Sequence, residues 1–264
     1  MAKVCKKLPL LLILQTFSFN EGDYEFITGK IEQFVKILLP KKTQMQISEI
    51  NAISSEIYPI TEKQILSSNF YKTVISALSE KHKLKTDEAV SFCISNLIGL
   101  LIQCYDAGRG ILSNSLLQIL KQEGLYEKVV IRKKRLRESI IETLRFGPPV
   151  HNTRRVATGD ILIGSHEVKK GQLLLIVLAG ANRDPGKFDK PGIFNIERKN
   201  NNEHLTFGIG PHKCLAENFS VNMTAEVLAY LFEKYRAIKL AEPGIQYEPM
   251  INVRLPRNLF ISLK

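Results

Sequence analysis

A cysteine closes the run Phe207-Gly208-Ile209-Gly210-Pro211-His212-Lys213-Cys214. Two glycines in this run let the backbone turn and approach a bound group closely. A histidine stands two places before the sulfur, and a helical pattern follows from Leu215. The thiol is therefore predicted on a Gly-rich turn at a helix start. Unpaired amides and the positive helix end favour thiolate over thiol there. A thiolate held in this way can serve as the axial ligand of a haem iron. A lone cysteine in a turn is more often simply packed, so the weight rests on what stands upstream. Glu142-Thr143-Leu144-Arg145 places an acid and a base three apart, where a helix lets them pair. Alone, such a pair is a common surface feature. The four cysteines (Cys5, Cys93, Cys104, Cys214) are far apart and form no Cys-x-x-Cys pair. That spacing argues against zinc and against a disulfide framework, and for a reducing compartment.

The elements that must position these residues are mostly helical. Residues 1–80 read as several helices, including Tyr24–Leu39 and Asn69–Lys83, punctuated by Pro40 and Pro59. Thr86 reads as an N-cap with Asp87 and Glu88 in the first turn. Ala89 to Lys121 is apolar nearly all round, which predicts a central buried helix. A further helical region covers Leu125 to Leu144 and stops before Gly147-Pro148-Pro149. The period then changes. Arg155–Ile163 and Glu167–Leu178 read as short strands, and Asp184 to Asn202 as loop. A helix runs from the cysteine to about Lys234, and a proline-punctuated tail suggests short strands and turns. The fold class is mainly α with a minor β-sheet, in a single domain over residues 1–264.

These stretches, taken together and in this order, resemble the cytochrome P-450 family. The cysteine run resembles its haem-binding loop, Phe-x-x-Gly-x-x-x-Cys. Glu142-Thr143-Leu144-Arg145 resembles its Glu-x-x-Arg, and Phe194-Asn195-Ile196-Glu197-Arg198 the loop that supplies a third ion. Arg155-Val156-Ala157-Thr158-Gly159-Asp160 and Ala181-Asn182-Arg183-Asp184-Pro185 also match the family text, as does Leu8-Pro9-Leu10-Leu11-Leu12-Ile13. The resemblance implies haem b, with Cys214 as iron ligand. Arg155 (or Arg154, if the register slips) and His212 would face the two propionates. Phe207 would pack beside the sulfur, and Gly208 and Gly210 would let the backbone approach it. Glu142, Arg145 and Arg198 would form a structural ion triad that locks the fold rather than doing chemistry. The implied fold is that of the family without its N-terminal helices, about the C-terminal two-thirds. The implied activity is a haem-thiolate monooxygenase acting on a small organic substrate, with electrons from a ferredoxin or flavoprotein.

Two departures from the family pattern qualify this reading. The Leu-Pro segment falls near the middle of usual family members, so a fragment, a wrongly called start codon, or half of a split protein whose other chain supplies the missing N-terminal helices are alternatives. The family's Ala/Gly-Gly-x-Asp/Glu-Thr is matched here by Ala107-Gly108-Arg109-Gly110-Ile111, which puts Gly110 in place of the acid and Ile111 in place of the alcohol. Asp106 and Ser113 are expected to point elsewhere. With no proton relay, a peroxide-driven or non-oxidative haem enzyme, or a non-catalytic remnant or partner protein, are alternatives. His151, in Pro148-Pro149-Val150-His151, is a pocket candidate and a candidate proton donor. The Ala107-Gly108 stretch is a second pocket candidate.

Composition bounds the rest. The chain has 264 residues and a hydrophobic fraction of 44%, which suits a globular core. A net charge of +11 would suit nucleic acid, an anionic membrane or an acidic protein. The one dense basic run, Arg132-Lys133-Lys134-Arg135-Leu136-Arg137, has no interleaved aromatics, so nucleic acid is not expected. The run reads first as a solvated helix face and second as a docking face for an acidic electron-transfer protein. The apolar segment Leu8–Leu14 is too short to span a membrane and lacks a cleavage site. It is expected as a buried helix in a cytoplasmic protein.

Overall fold

The computed structural model describes residues 2–39, 41–241 and 244–264; of residues 2–5, including Cys5, only the backbone is described. Pro40, one of the expected helix punctuation points, lies outside the described residues. The chain divides into two compact units, residues 6–106 and residues 107–264 together with 1–5.

The first unit is helical throughout. α1 (Ala2–Thr16) buries Leu10 and Leu14, and α2 (Glu21–Phe34) buries Ile27 and Ile31 before tightening into a 3₁₀ turn at Val35–Leu38. α3 (Gln44–Ser67) starts at a capping box, in which Gln46 N donates to Thr43 Oγ1 at 3.2 Å and Thr43 N to Gln46 Oε1 at 2.9 Å. Pro59 does not punctuate the helices, as expected from sequence; it sits inside α3 on an exposed face. A proline there forfeits one ladder bond, and the buried face carrying Ile53, Ile57 and Ile65 continues on both sides of it. α4 (Asn69–His82) ends at Lys83, which adopts the left-handed region at φ 59°. α5 (Thr86–Lys121) includes Thr86 as its first residue, and Glu88 accepts from Lys85 N at 2.8 Å, so the cap lies one residue earlier than expected.

In the second unit the single helical region predicted after Gly124 breaks at Arg132, whose φ of −135° and ψ of 108° separate α6 (Leu125–Ile131) from α7 (Lys133–Phe146). The two predicted strands each split. β1 (Thr153–Val156) pairs antiparallel with β4 (Leu173–Ile176), and β2 (Ile161–Ile163) with β3 (His166–Val168). The splits fall at Thr158-Gly159-Asp160, where Asp160 accepts from Lys170 N at 2.8 Å, and at Lys169-Lys170-Gly171 with Gly171 at φ +86°. α8 (Leu178–Ala181), the long loop, α9 (Glu217–Lys234) and the pair β5 (Ile238–Leu240) with β6 (Ile261–Leu263) complete the unit. α7 packs against α6 and α9, which brings the Glu142–Arg145 turn inside.

Candidate functional site

Cys214 lies between a 3₁₀ turn at Gly210–His212 and α9, and its N–H donates to Phe207 O at 2.8 Å, closing the loop on itself. Gly208 at φ +71° and Gly210 at φ +74° make that closure, in a region side chains rarely enter. The helix starts at Glu217, slightly later than the sequence pattern suggests, because Ala216 provides the first ladder acceptor (Ser220 N to Ala216 O, 2.7 Å). The thiol is therefore on an exposed loop ahead of the helix rather than within its first turn. Around it Ile209 is 70% exposed and Leu215 95% exposed, with Phe207 half-buried. A soft sulfur donor set among exposed apolar side chains fits a planar, largely apolar, iron-centred group. Among the described residues no cluster of three or more His, Cys, Asp or Glu offers a different metal site.

The loop is anchored from below. Glu142 and Arg145 are fully buried and paired two-pronged, Nη2 to Oε1 at 2.6 Å and Nε to Oε2 at 2.8 Å. Arg145 also donates to the carbonyls of Asn182, Pro191 and Ile193. Arg198, the expected third ion, approaches Glu142 Oε1 only to 3.9 Å through Nε. Its remaining nitrogens bond carbonyls of Asp189, Lys190 and Ile193. Asn195 N takes the nearer place on Glu142 Oε1, at 2.8 Å. The three ions are thus together, but the pair is direct and the third member mainly braces the loop.

Asn182 and Thr206 were not singled out by sequence reasoning as site residues, yet they join this ion pair to the cysteine loop. Asn182 is buried; its Nδ2 donates to Thr206 Oγ1 at 2.9 Å and its Oδ1 accepts from Leu205 N at 2.7 Å. Thr206 Oγ1 donates to Leu144 O at 2.6 Å. A polar Asn beside Arg183 in an otherwise apolar turn was the available signal. Next to them His204 Nδ1 accepts from Thr206 N at 3.3 Å, and burial pushes its proton affinity down to about 4.

The remaining expected residues are placed as follows. Arg155 and Arg154 are exposed on β1, and Arg155 folds onto Thr153 Oγ1 and Arg154 O. His212 is exposed on the cysteine loop. His151 is half-buried; burial, then Arg254 and Arg183, push its proton affinity down, which favours the neutral ring over the proton-donating form.

On α5, an ideal Cβ at Gly110 would stand 2.6 Å from Pro149 Cβ, and Ile111 is buried in the core. Neither position looks onto open space. The open side of this stretch is at Gln103 and Ala107, while Gly108 is buried. Asp106 is four residues before Gly110, about 40° round the helix and one turn down, so it does not point away as expected. Ser113 bonds back to Arg109 O at 2.8 Å.

A family model described as cytochrome P-450 matches residues 133–261. The biotin biosynthesis cytochrome P-450 of Bacillus subtilis (strain 168) is 30% identical over 185 residues, covering 70% of this chain and 46% of that one. The mycinamicin VIII C21 methyl hydroxylase of Micromonospora griseorubida is 29% identical over 149 residues, covering 56% and 38%. The chain thus spans less than half the length of these curated relatives. The crystal structure of P-450 BioI in complex with an acyl carrier protein ligated to hexadec-9Z-enoic acid superposes with a TM-score of 0.86 at 24% identity, covering all of this chain and 68% of that one.

Proposed function

The chain belongs to the cytochrome P-450 family, and from that premise we propose that it is a haem-thiolate oxidoreductase acting on a small organic substrate. The observation that carries this reading is the exposed Cys214 on a closed Gly-rich loop, anchored through Thr206 and Asn182 to the buried Glu142–Arg145 pair. When bound, haem b would supply binding of dioxygen or peroxide and transfer of one oxygen atom. The chain's own part is to present the Cys214 sulfur, to flank it with Phe207, Ile209 and Leu215, and to offer Arg155 and His212 as donors for carboxylates. The test is the absorption spectrum of haem-supplemented protein, reduced and treated with carbon monoxide. A strongly red-shifted Soret band that Cys214→Ser abolishes is expected; no haem uptake would overturn the reading.

A second reading, peroxide-driven or non-oxidative chemistry, draws support from α5. Gly110 and Ile111 are packed, and the open position, Ala107, is a methyl that can neither donate nor accept a proton. We place Asp106 in the role of the acid and Ala107 where the alcohol would stand. Ala107→Thr is then expected to raise product formed per dioxygen consumed; an unchanged ratio removes this placement. His151 as proton donor would require that His151→Ala slow peroxide turnover, and the neighbouring arginines oppose that role.

Partners are proposed on the same footing. The relative BioI was solved with an acyl carrier protein, and the exposed Lys133 and Lys134 of α7 suit an acidic carrier or ferredoxin. A polypeptide supplying further N-terminal helices is the second proposed partner, supported by the exposed apolar face of β1 and β4. A cytoplasmic location is supported by the dispersed, unpaired Cys93, Cys104 and Cys214. By length and composition α5 alone among the described helices would pass for a membrane span. Its apolar side chains Leu97, Leu101, Leu112 and Leu116 are buried in protein, which supports reading it as a core helix.

A further inference from the structure

We propose that His151, Arg183 and Arg254 form a binding site for the carboxylate of an amphiphilic acid. The site is built by an antiparallel bridge between Val150 and Val253. His151 N donates to Asn252 O and Arg254 N to Pro149 O, both at 2.8 Å. In that register Pro149, His151, Asn252 and Arg254 present their side chains on one face. His151 and Arg254 are diagonal neighbours, about 7–8 Å apart at the backbone, a gap that one carboxylate between two side chains spans.

Arg183 joins them from the turn after α8, whose Ala179 N donates to His151 O at 3.0 Å. Its Nε and Nη2 donate to Phe146 O at 3.2 and 2.6 Å, and its guanidinium lies 4.3 Å from the Phe146 ring. Arg254 is held likewise, 3.9 Å over the Tyr247 ring. Stacking of this kind fixes a guanidinium while leaving N–H groups in its plane free to donate. Among the described residues, Arg183 Nη1, the guanidinium of Arg254 and the ring of His151 have no hydrogen-bond partner, and no carboxylate forms an ion pair with either arginine. Glu142 lies close enough to be felt by Arg183, but its oxygens are taken by Arg145 and Asn195 N. Burial, then Arg254 and Arg183, push His151 down, and burial, then Arg145 and Arg254, push Arg183 down. Arg183 and Arg254 are exposed and His151 is half-buried, so the three groups, held together by backbone geometry, are open to a carboxylate arriving from solvent. Val177, at the start of α8, and Ile251, next to Asn252 in the chain, are exposed and would cover an alkyl chain. Ile251 O is tied in by Asn152 Nδ2 at 3.1 Å.

The site needs no haem, so its failure and the failure of the haem reading are separate events. The test is calorimetric titration of the full chain, without haem, with decanoate and with decanol below their aggregation limits. Decanoate is expected to bind at least about tenfold more tightly than decanol. Arg254→Gln, which keeps much of the stacking stem, is expected to remove most of that difference and leave decanol unchanged. Equal affinities for acid and alcohol in the unmodified chain overturn the proposal, as does an Arg254→Gln protein of unchanged melting temperature that still prefers the acid. If Arg254→Gln does not fold, the acid-against-alcohol comparison in the unmodified chain decides alone.

Discussion

Cys104 and Cys214 carry the same thiol into opposite surroundings. Burial pushes Cys104 up to about 12, and its Sγ–H is spent on Leu101 O at 3.3 Å, whereas Cys214 is exposed. At pH 8, iodoacetamide is expected to label Cys214 and leave Cys104 untouched in the folded chain, as read by peptide mass. Protection of Cys214 by added haem would follow from iron ligation. His204 makes a different residue-scale prediction. Its folded value near 4 lies below the ordinary 6.5, so the unfolded chain binds the proton more readily. The neutral ring's contribution is fully present above about pH 6.5 and is lost as pH falls towards 4. It amounts to at most about 3 kcal/mol. Urea midpoints measured across that window should fall with acid in the native chain and fall less in His204→Gln. Parallel curves would show that His204 is not buried neutral.

Among the elements, the C-terminal turn of α7 does most of the organising. It buries Glu142, Thr143, Leu144 and Arg145 together, and Leu144 O receives Thr206. Removing one partner of a buried ion pair leaves the other uncompensated, so Glu142→Gln is expected to lower unfolding free energy by about 3–5 kcal/mol in urea melts. Asn182→Ala strands Leu205 N and removes one of the two bonds of Thr206 Oγ1, and should cost about 1–3 kcal/mol. If the loop is held through Asn182, this second variant also weakens haem uptake at temperatures where it remains folded. Equal haem affinity in a stable Asn182→Ala protein would confine Asn182 to packing. The close approach of Pro149 to α5 at Gly110 belongs to the same scale: two elements touch where only hydrogen fits.

Across the whole molecule, the distribution of apolar surface is uneven. β1 and β4 form a two-stranded ribbon on which Val156, Leu173 and Leu175 are each more than half exposed. Such a cluster suits a surface that another polypeptide or a ligand covers. Replacing Leu173 and Leu175 together by Ser is expected to lower binding of a hydrophobic dye while changing stability by no more than about 0.5 kcal/mol per site. A larger loss of stability would mean that these side chains support the chain's own fold. The basic run of α7 is only partly committed. Arg135 pairs with Glu138 and Glu197, and Arg137 donates to Asn222 Oδ1. Lys133 and Lys134 stay exposed, Lys134 within 4.0 Å of Glu138.

Local chemistry was legible in the residues themselves. The Gly-Pro-rich turn before Cys214, the long apolar run of α5 unbroken by proline and the acid–base spacing of α7 are properties of consecutive residues, and backbone sterics act on just such stretches. The family pattern then linked stretches far apart in the chain. What lay beyond reach depended on which distant groups meet. Pro59 sits inside a helix whose buried face continues on both sides of it, and the strands split where Asp160 reaches Lys170. Arg198 yields the nearer place on Glu142 to a backbone amide. The face of α5 at Gly110 is set by Pro149, a residue on another element. Asn182, Thr206 and His204 gain their roles only by lying under the cysteine loop, and His151 gains two arginines only through the bridge to Val253. Sequence by itself determined the mainly helical class, the thiol and its loop; tertiary structure decided helix breaks, burial, hydrogen-bond partners and therefore charge state, because those depend on contacts between residues that no local pattern brings together.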